Sequence, residues 1–428
     1  MMKIDSTPYK LLNIATGRVF EDSGWMMADP QSPTPSLIRA EYGKKEIQIK
    51  EDSYGIYKFA DWLPIHKMLK GSYAPATYKS EALAAHLGLE NLFITFNGWW
   101  PERGIEMQTC SFKETEAFSV CARLNFKDKI LVVSSAGNTA RAFARVCSEN
   151  NIPIVITIPE ENIFAMWFAE ELNPCVKVIC TPKGTDYFDA IQLGDKLCQD
   201  STFIAEGGAK NVARRDGMGT TVLSAAAFIG RIPDAYFQAV GSGTGTIAAY
   251  EANLRLLADG RFGKTTMRLI PSQNEPFTPM YDAYMADSRA LLPMDEDLAR
   301  TRALQIGAPV LSNRKPPYSV TGGLYDALKA SGGTMKKVTN TELREACQLF
   351  EKLEGIDIYS AAGVAVKSLE KAVAKGTVKP QETIMLNITG GGEKRFKSTH
   401  KIYQKQPDLI FPIDATPEEI ASKVKALF

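Results

Sequence analysis

From residue 129 onward, short apolar runs alternate with longer stretches in which apolar residues recur at helical spacing. Short runs of aliphatic and β-branched residues bounded by proline or glycine are typical of buried strands, and longer amphipathic stretches are typical of helices. The predicted strands are 130–133, 154–158, 176–181, 203–205, 235–240, 267–270 and 383–388. The predicted helices are 114–123, 139–149, 160–172, 185–198, 220–229, 246–258, 322–329, 341–353, 361–374 and 417–428. This alternation predicts an α/β protein whose parallel sheets are covered by helices on both faces.

The rest of the pattern suggests how the chain is divided. The first hundred residues are punctuated by prolines, and residues 272–317 are proline-rich and poorly periodic, so we predict loops there. We expect an irregular N-terminal segment over residues 1–90 that packs on a larger domain. A smaller α/β domain is predicted over residues 125–225, and the larger α/β domain over residues 91–124 together with 226–428. Two such domains would leave a cleft between them.

Charge and cysteine usage exclude several classes of protein. Fifty basic residues balance forty-nine acidic ones, for a net charge of +1, and no basic run stands out. A dedicated nucleic-acid-binding or membrane-surface protein is therefore not expected. The opening MMKIDSTPYK has no apolar stretch of signal-peptide length, and the seven cysteines include no Cys-x-x-Cys pair. We expect a reduced, cytoplasmic protein without a disulfide framework or structural zinc.

Histidine is too scarce to support most histidine chemistry. The chain has only His66, His86 and His400, and no two have the spacing that would let one helix face hold a metal ion. We therefore predict no metal site and expect the chemistry to come from lysine, carboxylates, hydroxyls or a bound cofactor.

One lysine has an unusual context. Lys113 follows the small and apolar residues 109–112 and comes just before a predicted helix. Most such lysines lie solvated on the surface. The functional alternative is a lysine whose ammonium form is disfavoured by apolar surroundings and a helix N-terminus, which is what a Schiff-base lysine requires.

Two turns that follow strands carry small polar residues, and ligands of α/β proteins bind at such turns. Ser134, Ser135, Asn138 and Thr139 follow the first strand of the regular region. They are suited either to cap the next helix or to face a carboxylate and a ring hydroxyl. Thr389 follows the last predicted strand, where it is either a capping residue or a neutral hydroxyl partner for a pyridine nitrogen.

The third turn of this kind is rich in glycine. It consists of Gly241, Ser242, Gly243, Thr244, Gly245 and Thr246. Glycines let the main chain approach a phosphate, and the following helix N-terminus supplies donors. The spacing is Gly-x-Gly-x-Gly rather than Gly-x-Gly-x-x-Gly, and no Walker lysine follows, so a monophosphate fits better than a dinucleotide.

Together these segments resemble a known superfamily. Lys113 in SFK, Asn138 in SAGNT, the GSGTG loop and Thr389 occur in the order seen in fold-type II pyridoxal-phosphate enzymes. The resemblance covers roughly residues 35–395, and residues 206–217 (EGGAKNVARRDG) are similar to the threonine synthase branch. It implies a fold like that of the tryptophan synthase β subunit, with two parallel-sheet α/β domains and pyridoxal 5'-phosphate in the cleft between them.

The resemblance also implies roles for the site residues. Lys113 would form the Schiff base and move the substrate's α-proton, Asn138 would bond the cofactor's ring hydroxyl, and Thr389 would meet the pyridine nitrogen. The glycine loop, residues 241–246, would hold the cofactor phosphate. The implied binding residues for the substrate carboxylate are Ser134, Ser135 and Thr139. Candidates for binding the anionic groups of the substrates are Arg103, Arg141, Arg214 and Lys394.

The chain departs from threonine synthases in two places. Lys113 is followed by Glu114-Thr115-Glu116 where that family has Asp-Arg-Gly, and residues 9–39 contain no cysteine-rich knuckle. With its opening YKL (9–11) and LIRAEY (37–42), the pattern most resembles the cysteate synthase family of methanogenic archaea. That resemblance implies O-phosphoserine and sulfite as substrates, cysteate and phosphate as products, a place in coenzyme M biosynthesis and a homo-oligomeric enzyme.

Other functions stay open at this point. A threonine synthase acting on O-phosphohomoserine, or a serine or threonine ammonia-lyase, would use the same cofactor. A nucleotide-binding oxidoreductase would explain the glycine loop but neither SFK nor SAGNT. A non-catalytic relative acting as a binding protein would not need Lys113 and Asn138.

Overall fold

The computed structural model of the protein describes residues 7–126 and 128–428, so the first six residues of the predicted N-terminal segment lie outside it. The strands are β1 Tyr9–Asn13, β2 Val19–Phe20, β3 Ile38–Tyr42, β4 Ala76–Lys79, β5 Asn91–Phe96, β6 Trp99–Trp100, β7 Ile105–Glu106, β8 Ile130–Ser134, β9 Ile154–Pro159, β10 Trp167–Phe168, β11 Val176–Thr181, β12 Phe203–Ala205, β13 Ala235–Ala239, β14 Arg268–Asn274, β15 Lys336–Val338, β16 Thr383–Ile388, β17 Tyr403–Gln404 and β18 Leu409–Ile410. The helices are α1 Ala82–Leu87, α2 Lys113–Arg123, α3 Asn138–Asn150, α4 Tyr187–Leu197, α5 Val212–Ile229, α6 Thr244–Asp259, α7 Pro279–Met285, α8 Glu296–Gln305, α9 Leu324–Ser331, α10 Asn340–Glu354, α11 Ser360–Ala374, α12 Glu393–Thr399 and α13 Pro417–Lys425.

Two sheets form the framework of the molecule. Five parallel strands lie in the order β12-β8-β9-β11-β18. Six strands lie in the order β15-β14-β13-β16-β5-β4, and in that sheet only β4 runs antiparallel to its neighbour. Every residue of β9 and of β16 is buried, as expected for strands covered on both faces. The prediction of an α/β protein with parallel sheets is confirmed.

Each sheet changes its winding direction at one strand. The chain builds the first sheet outward from β8 through β9 and β11, and then returns to place β12 on the other side of β8. In the second sheet β13 is followed by β14 and β15 on one side, and β16 returns to the other side. The carboxyl ends of β8 and β13 therefore border crevices, and ligands of open α/β sheets bind at such places.

Helix α2 lies against both α3 and α5, and α5 also packs on α6. The close approach of α5 to α2 depends on a glycine, because a Cβ at Gly217 would lie 2.3 Å from the carbonyl oxygen of Thr115. This packing brings the first turn of α5 beside the first turn of α2, although the two are far apart in the chain.

The structure corrects three predicted elements. Residues 160–172 are not a helix: a 3₁₀ turn at Glu160–Ala165 is followed by β10, which pairs with β17 and buries Trp167 and Phe168. Part of the predicted loop 272–317 is ordered as the end of β14, α7 and α8. Helix α5 begins at Val212, eight residues before the predicted start at 220, because its first turns bury charged residues that hide the apolar pattern.

The division into domains by residue number stays a prediction, but the sheets add detail to it. The C-terminal strand β18 pairs with β11, and α13 packs on α4. The C-terminal tail thus packs on the five-stranded sheet, whereas the sequence placed it with the larger domain. Strand β4, from the N-terminal segment, joins the six-stranded sheet. In the part of the chain that the structure describes, no helix is long and apolar enough to span a membrane.

Candidate active site

A cavity of about 880 Å³, including its open mouth, lies at the carboxyl ends of β8 and β13. Ten of the predicted site residues line it: Lys113, Ser135, Asn138, Thr139, Gly241, Ser242, Gly243, Thr244, Gly245 and Thr389. The four segments singled out in the sequence therefore meet in one place, although they come from four parts of the chain.

The position of Lys113 is fixed by the main chain around it. The N–H of Phe112 donates to the carbonyl of Thr389 at 3.0 Å, and the N–H of Gly391 donates to the carbonyl of Cys110 at 3.0 Å. Lys113 is the first residue of α2. The two segments that carry Lys113 and Thr389 are thus joined by hydrogen bonds, and both residues face the cavity.

The Lys113 side chain is mostly buried, with 22% of its surface exposed, and its Nζ lies 3.3 Å from Oε2 of Glu116. Burial lowers the pKa of Lys113 below that of an ordinary lysine, and the Glu116 carboxylate offsets only part of this shift. A lysine in these surroundings gives up its proton more readily than one in water, and its neutral amine is the nucleophilic form.

Glu116 is completely buried and contacts three side chains. Besides Lys113, Nη1 of Arg214 lies 3.1 Å from its Oε1, and the Thr139 hydroxyl donates to the same oxygen at 3.0 Å. No sequence motif pointed to Glu116 as a site residue, but the departure from Asp-Arg-Gly after Lys113 was a signal at this position.

Arg214 is the one candidate among the four predicted cations that lines the cavity. Its Nε and Nη2 donate to the two carboxylate oxygens of Glu206, at 2.7 and 2.5 Å. Burial opposes the charge of Arg214, but the Glu116 and Glu206 carboxylates outweigh it and raise its pKa. Arg214 therefore stays charged while facing the cavity.

The other three candidate cations have different roles. Arg141 lies behind Asn138, with its guanidinium 4.2 Å from the centre of the Trp167 ring. Arg103 lies over the Tyr78 ring, and Lys394 pairs with a surface glutamate. The prediction that these residues meet substrate anions is not supported, since none lines the cavity.

Arg141 fixes the orientation of Asn138. Its Nη2 donates to Oδ1 of Asn138 at 3.0 Å and to the hydroxyl of Tyr359 at 2.9 Å. Because the amide oxygen of Asn138 is thereby engaged, its NH₂ group is the end available to donate to a ligand in the cavity.

The glycine loop presents an uncapped helix N-terminus to the cavity. Helix α6 begins at Thr244, and the N-cap residue Gly243 supplies no side-chain cap. Gly243 has φ of +79°, and a Cβ there would lie 2.9 Å from Leu324, so both conformation and packing require glycine. The first N–H groups of a helix have no acceptor within it, which makes this end a binding site for an anion.

The structure places two predicted site residues outside the lining of the cavity. The Ser134 hydroxyl accepts a hydrogen bond from Thr157 at 2.7 Å and faces Gly194 of α4, because successive side chains of a strand point to opposite faces. Ser134 therefore does not face the cavity, whereas Ser135 does. Thr246 is fully buried and does not line the cavity either, so its predicted contact with a ligand phosphate stays a prediction.

The set of donors fits pyridoxal 5'-phosphate. A buried lysine with a lowered pKa suits an aldehyde, and an uncapped helix N-terminus suits a monophosphate. The amide of Asn138 and the hydroxyl of Thr389 suit the polar atoms of a pyridine ring. No group of three or more metal-ligating side chains occurs among residues 7–126 and 128–428.

Comparison with known proteins gives the same family. Residues 102–390 match the model of the pyridoxal-phosphate dependent enzymes. The chain is 48% identical to the cysteate synthase of Methanosarcina acetivorans over 376 residues, which cover 87% of this chain and 90% of that protein. It is 46% identical to the cysteate synthase of Methanoculleus marisnigri over 396 residues, which cover 92% of this chain and 90% of that protein.

Solved structures support the fold. A fungal L-serine ammonia-lyase from Rhizomucor miehei superposes with a TM-score of 0.56 at 15% identity, covering 76% of this chain and 98% of that one. Maize serine racemase superposes with the same TM-score at 14% identity, covering 76% of this chain and 93% of that one. The fold-type II architecture is therefore confirmed. The chain belongs to the pyridoxal-phosphate dependent enzymes, and within them to the cysteate synthase family.

Proposed function

We propose that the protein is a cysteate synthase that converts O-phosphoserine and sulfite to cysteate and phosphate. The observation that carries this proposal is the presence of a lysine with a lowered pKa, Lys113, and a cation, Arg214, in one cavity beside a helix N-terminus whose N-cap residue supplies no side-chain cap. The reaction needs one group that moves a proton at the α-carbon, one that binds a leaving phosphate, and one that anchors the cofactor.

The residues of the cavity offer a binding group for each part of the cofactor. Lys113 would hold its aldehyde carbon, the N-terminus of α6 with Ser242 and Thr244 its phosphate, and Asn138 its ring hydroxyl. Thr389 would meet the pyridine nitrogen with a neutral hydroxyl. When bound, pyridoxal phosphate supplies an electron sink that makes the α-hydrogen of an amino acid acidic.

Lys113 is the general base and acid at the α-carbon. Since burial favours its neutral amine, it can accept the α-proton once the substrate is in place and return that proton to the same carbon at the end. The Glu116 carboxylate at 3.3 Å favours the ammonium form in between.

The substrate's own carboxylate is proposed to bind at the N-terminus of α3. This helix begins at Asn138, and its N-cap residue Gly137 has no side chain that could cap it. Ser135 lines the cavity beside it, with an oxygen that accepts from the N–H groups of Gly137 and Ala140 at 3.0 Å. Its hydroxyl proton therefore points elsewhere and is available to a carboxylate.

The phosphate of the substrate is proposed to lie against Arg214. During the reaction the Cβ–O bond of phosphoserine breaks and phosphate leaves. Sulfite then forms a C–S bond at the same carbon. Tyr187, Ser312 and Asn313 also line the cavity and add hydroxyl and amide donors for the two anions. The substrate phosphate and the sulfite would therefore bind to the same cation, Arg214, one after the other.

The test is to incubate the purified protein with pyridoxal phosphate and O-phosphoserine, with and without sulfite, and to identify the amino-acid product by mass. We expect phosphate release together with cysteate only when sulfite is present. Activity on O-phosphohomoserine instead would contradict the substrate assignment while leaving the cofactor assignment intact. Release of pyruvate without cysteate would point to an ammonia-lyase.

A further inference from the structure

Glu116 is a buried carboxylate whose two oxygens serve two different cations. Oε2 lies 3.3 Å from Nζ of Lys113, and Oε1 lies 3.1 Å from Nη1 of Arg214. Its relative exposure is 0%. Taking a carboxylate out of water is unfavourable unless its partners compensate, so Glu116 is held in this place by both basic side chains.

We infer that Glu116 is a positioning residue for the proposed reaction: one oxygen stabilises Lys113 after it has taken up the α-proton, and the other weakens the hold of Arg214 on the phosphate that leaves. The inference rests on the proposed function, because it assigns Lys113 and Arg214 their roles in that reaction. Lys113 and Arg214 are thereby linked, because the Glu116 side chain contacts both.

Glu116 acts on Lys113 through its charge. The charged groups that act on its amine are Glu116 on its own helix, Arg214 on α5 and Glu206 after β12, and Tyr187 of α4 lines the same cavity. Glu116 is the carboxylate within hydrogen-bonding distance, and the charge of Arg214 acts in the opposite direction. Without Glu116, Lys113 would have no carboxylate in contact and would still face the charge of Arg214, so it would lose its proton at lower pH.

Glu116 acts on Arg214 by contacting the one nitrogen that Glu206 leaves open to a ligand. Its Nε and Nη2 are both occupied by Glu206, so Nη1 is the nitrogen that an anion in the cavity can reach. Glu116 lies against this same nitrogen. An arriving phosphate must therefore share Nη1 with a carboxylate, and like-charge proximity weakens its binding. Weak binding favours departure of the product.

Thr139 holds the carboxylate between the two cations. Its hydroxyl donates at 3.0 Å to Oε1, the oxygen that also contacts Arg214. The contact comes from α3, whereas Arg214 lies on α5. Glu116 is thus fixed by three elements, which keeps both of its charge contacts in place at once.

The experiment compares Glu116→Gln with Glu251→Gln. Glu251 is a buried glutamate that pairs with Arg215 outside the cavity, so its replacement removes a carboxylate of the same kind without touching the site. The first measurement is the pH dependence of the rate at which the apoenzyme takes up pyridoxal phosphate, monitored by absorbance. The second is the affinity of the holoenzyme for inorganic phosphate, determined by calorimetry. Neither measurement needs an amino-acid substrate, so the results test the role of Glu116 separately from the identity of the protein's product.

For Glu116→Gln we expect the pH midpoint of cofactor uptake to fall by about one unit, and phosphate to bind about tenfold more tightly, the size of effect that one neighbouring charge has. With O-phosphoserine, kcat and KM should both fall. Glu251→Gln should leave the midpoint and the phosphate affinity unchanged. A Glu116→Gln protein with wild-type midpoint and phosphate affinity would overturn the inference, even if its thermal stability were reduced.

A second variant keeps the test decisive if Glu116→Gln does not fold. Glu116→Asp keeps the charge but shortens the side chain by one methylene, so both contacts lengthen. Its midpoint and phosphate affinity should move in the same directions by a smaller amount. No movement of either quantity in a folded Glu116→Asp protein would also overturn the inference.

Discussion

Two walls of the cavity present polar groups to the same space in opposite ways. The neutral wall, formed by Asn138, Gly241–Gly245 and Thr389, offers main-chain N–H groups, an amide and a hydroxyl. The charged wall, formed by Lys113 and Arg214 with the buried Glu116 between them, offers two basic side chains that are already paired with carboxylates. Uncharged donors that lack a partner can hold an anion permanently. Cations that already have counterions can exchange one.

This difference matches the two kinds of anion in the proposed reaction. The cofactor phosphate stays through every turnover, whereas substrate phosphate and sulfite must arrive and leave. The neutral wall suits the first task because its donors carry no charge and include the N-terminus of α6, which favours an anion. The charged wall suits the second because Arg214 keeps Glu116 and Glu206 as counterions when an anion leaves.

The strongest test of the charged wall removes its reactive amine. Lys113→Ala should abolish the yellow absorbance of the loaded enzyme. It should also lower turnover by at least about 10²–10⁴-fold, the usual contribution of a general base. Absorbance spectra and phosphate release measure the two effects. A Lys113→Ala protein that keeps its yellow absorbance and its turnover would show that another residue holds the cofactor.

A smaller loss should follow from changing the other cation. Arg214→Lys keeps a charge but cannot bind Glu206 through two nitrogens, so its position is lost and kcat/KM for O-phosphoserine should fall about 10- to 100-fold. Arg215→Lys is the matched control. Arg215 is the next residue of α5 and is buried outside the cavity, where it pairs with Glu251. That control should lose stability but not substrate affinity. Equal kinetic losses in both would show that the effect is structural.

On the neutral wall, Gly243→Ala should cost about 1–2 kcal/mol of stability from its positive φ. It should also weaken cofactor binding by displacing the loop from Leu324. Gly260→Ala, at the other end of α6, has a similar φ of +78° but no atom within 4 Å of the added Cβ. It should lose stability without losing cofactor affinity. Thermal unfolding and cofactor titration separate the two, and equal affinities in both variants would remove the loop from the site.

The smallest effect is expected at the pyridine end. Thr389→Val removes one neutral hydrogen bond worth about 0.5–1.5 kcal/mol, so cofactor affinity should fall about 2- to 10-fold. Thr389→Ser should restore it. Cofactor titration by absorbance measures both variants. A Thr389→Val protein with unchanged affinity would mean that this hydroxyl does not touch the ring.

The neutral wall could be predicted from the sequence because each of its parts is local. A glycine-rich turn after a strand and an asparagine in a short turn are visible within six residues of chain. The parallel sheets were also predictable, since strands buried on both faces are continuously apolar. Ser134 shows the limit of this reasoning, because its neighbour Ser135 has the same chemistry and only the side-chain alternation of β8 separates them.

The charged wall could not be assembled from the sequence. Glu116 and Arg214 lie on different helices that meet only because Gly217 allows α5 to approach α2. The sequence offered four candidate cations with nothing to choose among them. The ion pairs also concealed the start of α5, where buried Arg214 and Arg215 read as a polar loop. Long-range charge pairing leaves no periodic signal, so it appears only in the folded structure.

The central claim is that the cofactor is held by Lys113 between these two walls. The most direct measurement is to reduce the loaded enzyme with borohydride, which makes the bond between cofactor and lysine permanent, and to find the modified residue by peptide mass. We predict that the cofactor is recovered on the peptide that contains Lys113 and on no other. Recovery on a different lysine, or no modified peptide from a yellow protein, would contradict the account.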